Sequence, residues 1–208
     1  MTKTIEDVWK HVSNKITNKV NNVWEDLEAM IIPVDADGNF MAPIKCSDKP
    51  EYEGDSYSMI RSLCWTTELL PTGTFAYVCP ARARQAPTEM DPTDDPNDWA
   101  DLIKTLPFTH VLTMSVVNPI GYDPVTDEVS PNIEHGVWWV ERNEFEALPV
   151  GEEGPYGAGQ LPVALGSLSF KWAVDNNQLG AISNDMREAI ELARQSMEKA
   201  KAVFNRVR

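Results

Sequence analysis

Two runs of apolar residues at helical spacing bracket this 208-residue chain, and between them the apolar period drops to two. Ile5, Val8, Val12, Ile16, Val20, Val23, Leu27 and Met30 follow one another at steps of three or four. That spacing lines one face of a helix. Thr4 and Asp7 form a capping box with Asp in the usual Glu position. Consecutive four-residue steps at Val12, Ile16 and Val20 break a strict heptad as a stutter does. Trp9 and Trp24 widen the stripe. Pro33 disfavours helical geometry in the residue before it, so the pattern predicts a helix over residues 4–32.

At the other end, Met186, Ile190, Ala193, Met197, Ala200, Phe204 and Val207 alternate steps of four and three, the seam of a coiled coil or bundle. Ser183, Asn184 and Asp185 offer caps. A helix over 184–207 is expected, a rod of about 35 Å at 1.5 Å per residue.

The middle reads differently. A short strand from Ile31 to Val34 is followed by the turn Asp35-Ala36-Asp37-Gly38-Asn39. Residues 40–56 look irregular, and residues 57–70 lean towards helix through Met59, Ile60, Leu63 and Cys64. Phe75, Tyr77 and Cys79 alternate with Ala76 and Val78, as a strand requires, until Pro80 ends it or marks an edge. Residues 86–98 form a Pro- and Asp-rich loop, and Trp99 to Leu106 suit a short helix capped by Asp98. Phe108 to Val117 is the clearest central strand. Residues 118–135, with three prolines, read as a long loop before a strand at Val137–Val140. A second Gly- and Pro-rich loop covers 149–162. In the last predicted strand Leu168, Phe170 and Trp172 face inward, with Ser167, Ser169 and Lys171 outward. No βαβ alternation appears. The expected fold is therefore one α+β domain over 1–208: a mainly antiparallel sheet of about four to five strands in residues 33–182, with long amphipathic N- and C-terminal helices.

A hydrophobic fraction of 42% and a charged fraction of 24% are those of a chain able to bury a core without staples. The net charge of −14 repels polyanions, so direct nucleic-acid binding is not expected. The charge is uneven. Residues 31–183 carry 23 acidic and 8 basic side chains, a balance of −15, whereas Lys199, Lys201, Arg206 and Arg208 close the chain with no acid among the last ten residues. Positive charge there complements the macrodipole of the last helix or meets an acidic partner. Cys46, Cys64 and Cys79 are odd in number and widely spaced, which suits a reducing compartment. The N-terminus is charged from residue 3 and lacks a signal-peptide core, and no apolar run approaches the roughly 20 residues of a membrane span. A cytoplasmic protein is expected, or a virion component assembled in a host cytoplasm.

Candidate chemistry is sparse. Glu89, Asp91, Asp94, Asp95, Asp98 and Asp101 crowd one loop, the composition that calcium or a basic partner surface would need, but their spacing matches no calcium loop. The Asp35–Asn39 turn has Cys46 where an EF-hand loop needs Glu, so solvated loops explain both. Cys79 shares a strand face with Phe75 and Tyr77, where inert buried cysteine is common. His110 heads an apolar strand face, and Glu134-His135 precedes a strand in the manner of a possible general base, but neither lies in a motif. Three scattered histidines do not make a metal site. No dinucleotide fingerprint, Walker loop or nucleophile elbow is present, and no cofactor or small-molecule substrate is expected. Trp138 and Trp139 point to opposite faces of their strand, which argues that both faces of the sheet are covered.

These features give three expected functions in order. The first is a non-enzymatic structural subunit of a homo-oligomer or larger particle, virion or phage components included, that joins protein partners through its terminal helices and long loops. The second is an acidic binding or inhibitory protein acting on a basic surface. The third is an enzyme of unrecognised type. No membrane partner is expected.

Overall fold

The computed structural model describes residues 2–17, 27–48, 56–64, 67–84, 105–123, 128–148 and 160–176. Their centre is one sheet of six antiparallel strands in the order β2-β1-β3-β4-β5-β6. The strands are β1 (Met30–Pro33), β2 (Ile44–Lys45), β3 (Phe75–Ala83), β4 (Thr109–Asp123), β5 (Glu128–Trp139) and β6 (Glu144–Leu148). Three helices accompany them among the described residues: α1 (Ile5–Thr17), α2 (Ser56–Leu63) and α3 (Gln160–Asp175).

Both faces of the sheet are buried along β1, Phe75–Val78 of β3 and most of Val111–Val117 of β4. On one, Ile32, Ala76, Val78, Leu112, Met114, Val116 and Trp138 pack against Ile5, Val8 and Val12 of α1. On the other, Ile31, Phe75, Tyr77 and Val117 pack beneath Met59, Ile60 and Leu63 of α2 and Leu165, Leu168, Trp172 and Ala173 of α3. Neighbouring residues of β1 and β3 therefore go to opposite cores, which is why Ile31-Ile32 and Phe75-Ala76-Tyr77-Val78 are apolar without interruption.

The capping box at the start of α1 forms as expected. The Asp7 amide donates to Thr4 Oγ1 at 3.3 Å and the Thr4 amide to Asp7 Oδ2 at 3.1 Å. The Asp35 turn joins β1 to β2, its carboxylate accepting the Asp37 and Asn39 amides at 3.0 and 2.7 Å. The helix in the 57–70 stretch is present as α2.

The expected architecture needs correction in several places. The sheet has six strands rather than four or five, and the described helices are short, with 13, 8 and 16 residues. The helix over 4–32 is not continuous. Among described residues it occupies Ile5–Thr17, and Met30, counted in the helical stripe, opens strand β1, which overlaps the short strand expected over Ile31–Val34. Residues 18–26 lie outside the described residues.

The strand read at Leu168, Phe170 and Trp172 is part of α3. Among its described side chains Leu165, Leu168, Ser169, Trp172 and Ala173 are buried, spaced three, one, three and one, which is a helical face. The Ser-Leu-Ser-Phe-Lys-Trp alternation imitated a strand because this helix is apolar over much of its circumference. Pro162 falls in its first turn, where no amide partner is lost. Residues 118–123 and 128–135, expected as loop, are strand: β4 runs on to Asp123 and β5 starts at Glu128. The helix expected over 184–207 lies outside the described residues, and so does most of the one at 99–106.

Gly73 locks α3 to the sheet. Its φ is +68°, and a Cβ there would stand 2.3 Å from Cε3 of Trp172. The Trp172 indole N–H, held against it, donates to the Leu70 carbonyl. Gly73→Ala is expected to lower unfolding free energy by about 2–4 kcal/mol, combining left-handed strain with overpacking, as read from denaturant melts. A loss below about 0.5 kcal/mol, the range of a neutral surface change, would contradict this packing.

Candidate functional site

The residues singled out from the sequence are not brought together among the described residues. Glu89, Asp91, Asp94, Asp95, Asp98 and Asp101 lie outside them, and so do Met186, Ile190, Ala193, Met197, Ala200, Phe204 and Val207. The N-terminal seam is satisfied within the chain as far as it is described. Ile5, Val8 and Val12 are buried on the sheet, and Trp9 stacks on Phe145 with centroids 5.1 Å apart.

Two polar clusters involve the histidines. Ser115 of β4 and His135 of β5 are direct cross-strand partners, with Ser115 Oγ 2.9 Å from His135 Nδ1. Burial pushes the imidazole below its ordinary pKa, so it is neutral near pH 7 and able to accept the hydroxyl proton. The pair resembles the first two members of a nucleophile–base set. However, Ser115 is only 4% exposed, and burial alone acts on His135 among the described residues. Among the described residues no carboxylate is seen to orient the ring, and the pair forms a cross-strand hydrogen bond.

His110 belongs to a clamp at the other end of β4. Glu141 accepts the His110 amide at 2.9 Å, the Thr109 hydroxyl, and contacts His110 Nδ1 at 3.1 Å. The His110 amide, then the Thr109 hydroxyl, hold the Glu141 pKa down to about 2. The clamp fastens the start of β4 to the β5–β6 turn, where Asn143 adopts a φ of 53°.

The most distinctive feature is a two-stranded ribbon. β3 pairs with β4 only as far as Phe75↔Val117, and β6 pairs with β5 only as far as Leu148↔His135. Beyond these pairs Asn118–Asp123 and Glu128–Asn132 continue with each other alone among the described residues. Six residues of β4 at about 3.4 Å each carry the ribbon roughly 20 Å past β3. Its register shifts between Asn118 and Gly121. Pro119 and Pro131 fit there because each strand has an edge with no ladder partner among the described residues, where a missing amide breaks no ladder bond. Those prolines made this stretch read as a loop. The available signal was the even spacing of apolar and polar residues on either side of the prolines.

The root of the ribbon is tied to α1. Asn118, 1% exposed, accepts the Lys3 amide at 2.8 Å and donates to the Lys3 carbonyl at 2.9 Å. Glu134 Oε2 accepts the Ile5 amide at 2.9 Å, placing a carboxylate on the helix N-terminus. α1 thus fixes the β4–β5 pair where β3 stops supporting it.

Charged side chains of both signs stand at the start of β4. Arg82 lies opposite His110, Arg84 stacks over Phe108 at 4.0 Å and Arg142 over Trp139 at 4.5 Å, while Glu141 holds His110, Glu144 lies 3.7 Å from Arg142 and Glu146 accepts the Trp139 indole N–H at 3.2 Å. The ribbon sequence 118–132 contains Asp123, Asp127 and Glu128 and no Lys or Arg.

Among the described residues no three of His, Cys, Asp and Glu converge as a metal site would need. Cys46, Cys64 and Cys79 are free and half-buried, and burial pushes the Cys64 thiol up to about 11. No described helix is long and apolar enough to cross a membrane. Comparison with protein-family models, curated proteins and solved structures finds no match to this chain.

The depressed His135 pKa fixes the sign of a pH effect. The unfolded imidazole takes a proton near its ordinary value of about 6.5, whereas the folded one resists. Its contribution to stability is complete above that pH and falls as pH drops from about 6.5 towards the lower folded pKa. His135→Gln is expected to flatten this part of the stability–pH curve in thermal melts between pH 7 and pH 5. An unchanged slope would contradict the assignment.

Proposed function

We propose that the chain is a non-enzymatic structural subunit that assembles with copies of itself, in a homo-oligomer or a larger particle, and makes its contacts through the β4–β5 ribbon. The observation that carries this reading is the extension of β4 and β5 past both neighbouring strands. An isolated two-stranded ribbon is marginal in water and gains stability when another surface or strand covers it. Open edges at the ribbon are also sites where strands of another chain add. The rest of the described body is provided for internally: the sheet is covered on both faces, and the apolar side chains at the start of α1 are spent on that cover.

Three half-buried free thiols suit assembly in a reducing cytoplasm, and a virion or phage-type particle is one setting of that kind. The terminal seam from Met186 to Val207, whose heptad spacing suits a partner helix, would add to the ribbon contact in the same reading without sustaining assembly alone. The acidic-inhibitor reading would instead place binding in Asp91, Asp94, Asp95 and Asp98.

Light scattering tests the proposal. The full chain is expected to exceed its monomer mass of 23.3 kDa. A variant in which an Asn-Gly turn replaces residues 119–131, checked for folding by circular dichroism, is expected to return to the monomer. A native chain that stays monomeric at every concentration overturns the proposal, and so does an assembly that the shortened variant retains.

A further inference from the structure

A ribbon that leaves the body in many directions loses entropy when it docks, and one held in a single direction does not. β4 is irregular at the point of departure. Asn118 pairs with Asn132 and Gly121 with Ser130, so Pro119 and Ile120 stand opposite Pro131 alone. Two residues against one make a β-bulge, which bends the strand and increases its twist. The direction of everything beyond the bulge is set by what holds the strand pairs just below it. β3 stops at the Phe75↔Val117 pair and β6 at Leu148↔His135, both short of the bulge.

The N-terminal segment does reach it. Asn118 and Glu134 lie on the α1 face of the sheet, since Asn118 is two residues on from Val116 and Glu134 is the cross-strand partner of Val116. The Asn118 side chain accepts the Lys3 amide at 2.8 Å and donates to the Lys3 carbonyl at 2.9 Å, and Glu134 Oε2 accepts the Ile5 amide at 2.9 Å. Residues 3 to 5 thus cross from β4 to β5 and tie both strands at the root.

The other end of this clasp is fixed to the body. Ile5 is seated closely on β5, because a Cβ on Gly136 would stand 2.8 Å from its Cγ1. Val8 and Val12 continue the anchorage in the core on the same face. The Ile5 amide opens α1, where helix amides have no partner within the helix, so Glu134 satisfies a donor that the fold would otherwise leave to water.

We infer that this clasp aims the ribbon at the second copy: Asn118 and Glu134 are positioning residues for the assembly contact, and assembly in turn tightens the Lys3–Ile5 segment. This rests on the assembly reading and names what orients its contact surface. The reciprocal half follows from linkage, since a clasp that favours docking must be favoured by docking to the same extent.

Two measurements on the full chain test it. By light scattering, Asn118→Ala and Glu134→Ala are each expected to need about tenfold more protein to assemble, within the ordinary range of coupling between sites. Glu134→Gln keeps an acceptor for the Ile5 amide and is expected to assemble within about threefold of the native midpoint. Gly73→Ala loosens the opposite face of the sheet and is likewise expected to stay within about threefold, which separates aiming from general destabilisation. In the native chain, the Lys3 and Ile5 amides are expected to gain exchange protection in step with Gly121 to Asp123 as concentration rises, a readout that needs no variant to fold.

The inference is overturned if the native chain assembles and both alanine variants keep its midpoint, or if Gly73→Ala moves the midpoint as far as they do. It also falls if the Lys3 and Ile5 amides are as protected in dilute monomer as in the assembly. In each of these cases the assembly reading stands. A native chain that never assembles, or a shortened ribbon that still does, removes that reading and this inference with it.

Discussion

Everything in this molecule follows from a sheet that must be dry on both sides. β3 and the first half of β4 have no polar face to offer water: Phe75, Tyr77 and Val117 go to one core, and Ala76, Val78, Leu112, Met114 and Val116 to the other. Each fully buried aliphatic or aromatic side chain is worth about 1.5–3 kcal/mol relative to exposure, so leaving either face open would forfeit several such terms. That requirement recruits α1 to one face and α2 with α3 to the other. It also explains the two glycines at points of closest approach. Gly73 receives the Trp172 ring, and a Cβ on Gly136 would come within 2.8 Å of both Ile5 and Phe145.

The same requirement decided what could be read from the sequence. A period of two is visible when one strand face is wet, and at β3 and β4 the small and polar residues that interrupt the pattern left enough of it to find both strands. At β1 the short strand expected over Ile31–Val34 overlaps the observed Met30–Pro33, but Leu27 and Met30 happen to continue the helical spacing, so the helix was extended over residues that are strand. α3 failed for the converse reason. Its helical face is real, but Phe170 and Ala164 on its flanks are also packed, so serine and lysine alternating with large residues looked like a strand. The Thr4–Asp7 box and the Asp35 turn were legible because they depend on side chains within four residues of each other. Ser115–His135, Glu141–His110 and Asn118–Lys3 join residues 20, 31 and 115 positions apart, and only the register of the sheet brings them together. The acidic cluster at 89–101 and the seam at 186–207 are sequence features whose placement the described residues do not include.

Where double-sided burial ends, the character of β4 changes. Up to Val117 it is flanked by β3 and β5 and covered by helices. From Asn118 onward it has β5 alone among the described residues, its prolines are permitted, and its register slips. Asn118 and Glu134 stand at that boundary and bind the backbone of Lys3 and Ile5. The structural body and the ribbon are therefore parts of one strand pair with different sources of stability: an internal core for the first, and, in the proposed assembly, another copy for the second.

Amide hydrogen exchange as a function of protein concentration tests this division directly, because β4 carries both regimes on one strand. Amides of Val111 to Val117 are expected to stay protected at every dilution. Those of Gly121 to Asp123 and Glu128 to Val129 are expected to gain protection only at concentrations where the chain has assembled. Ribbon amides as protected in dilute monomer as in concentrated solution would contradict it, and so would core amides that lose protection on dilution.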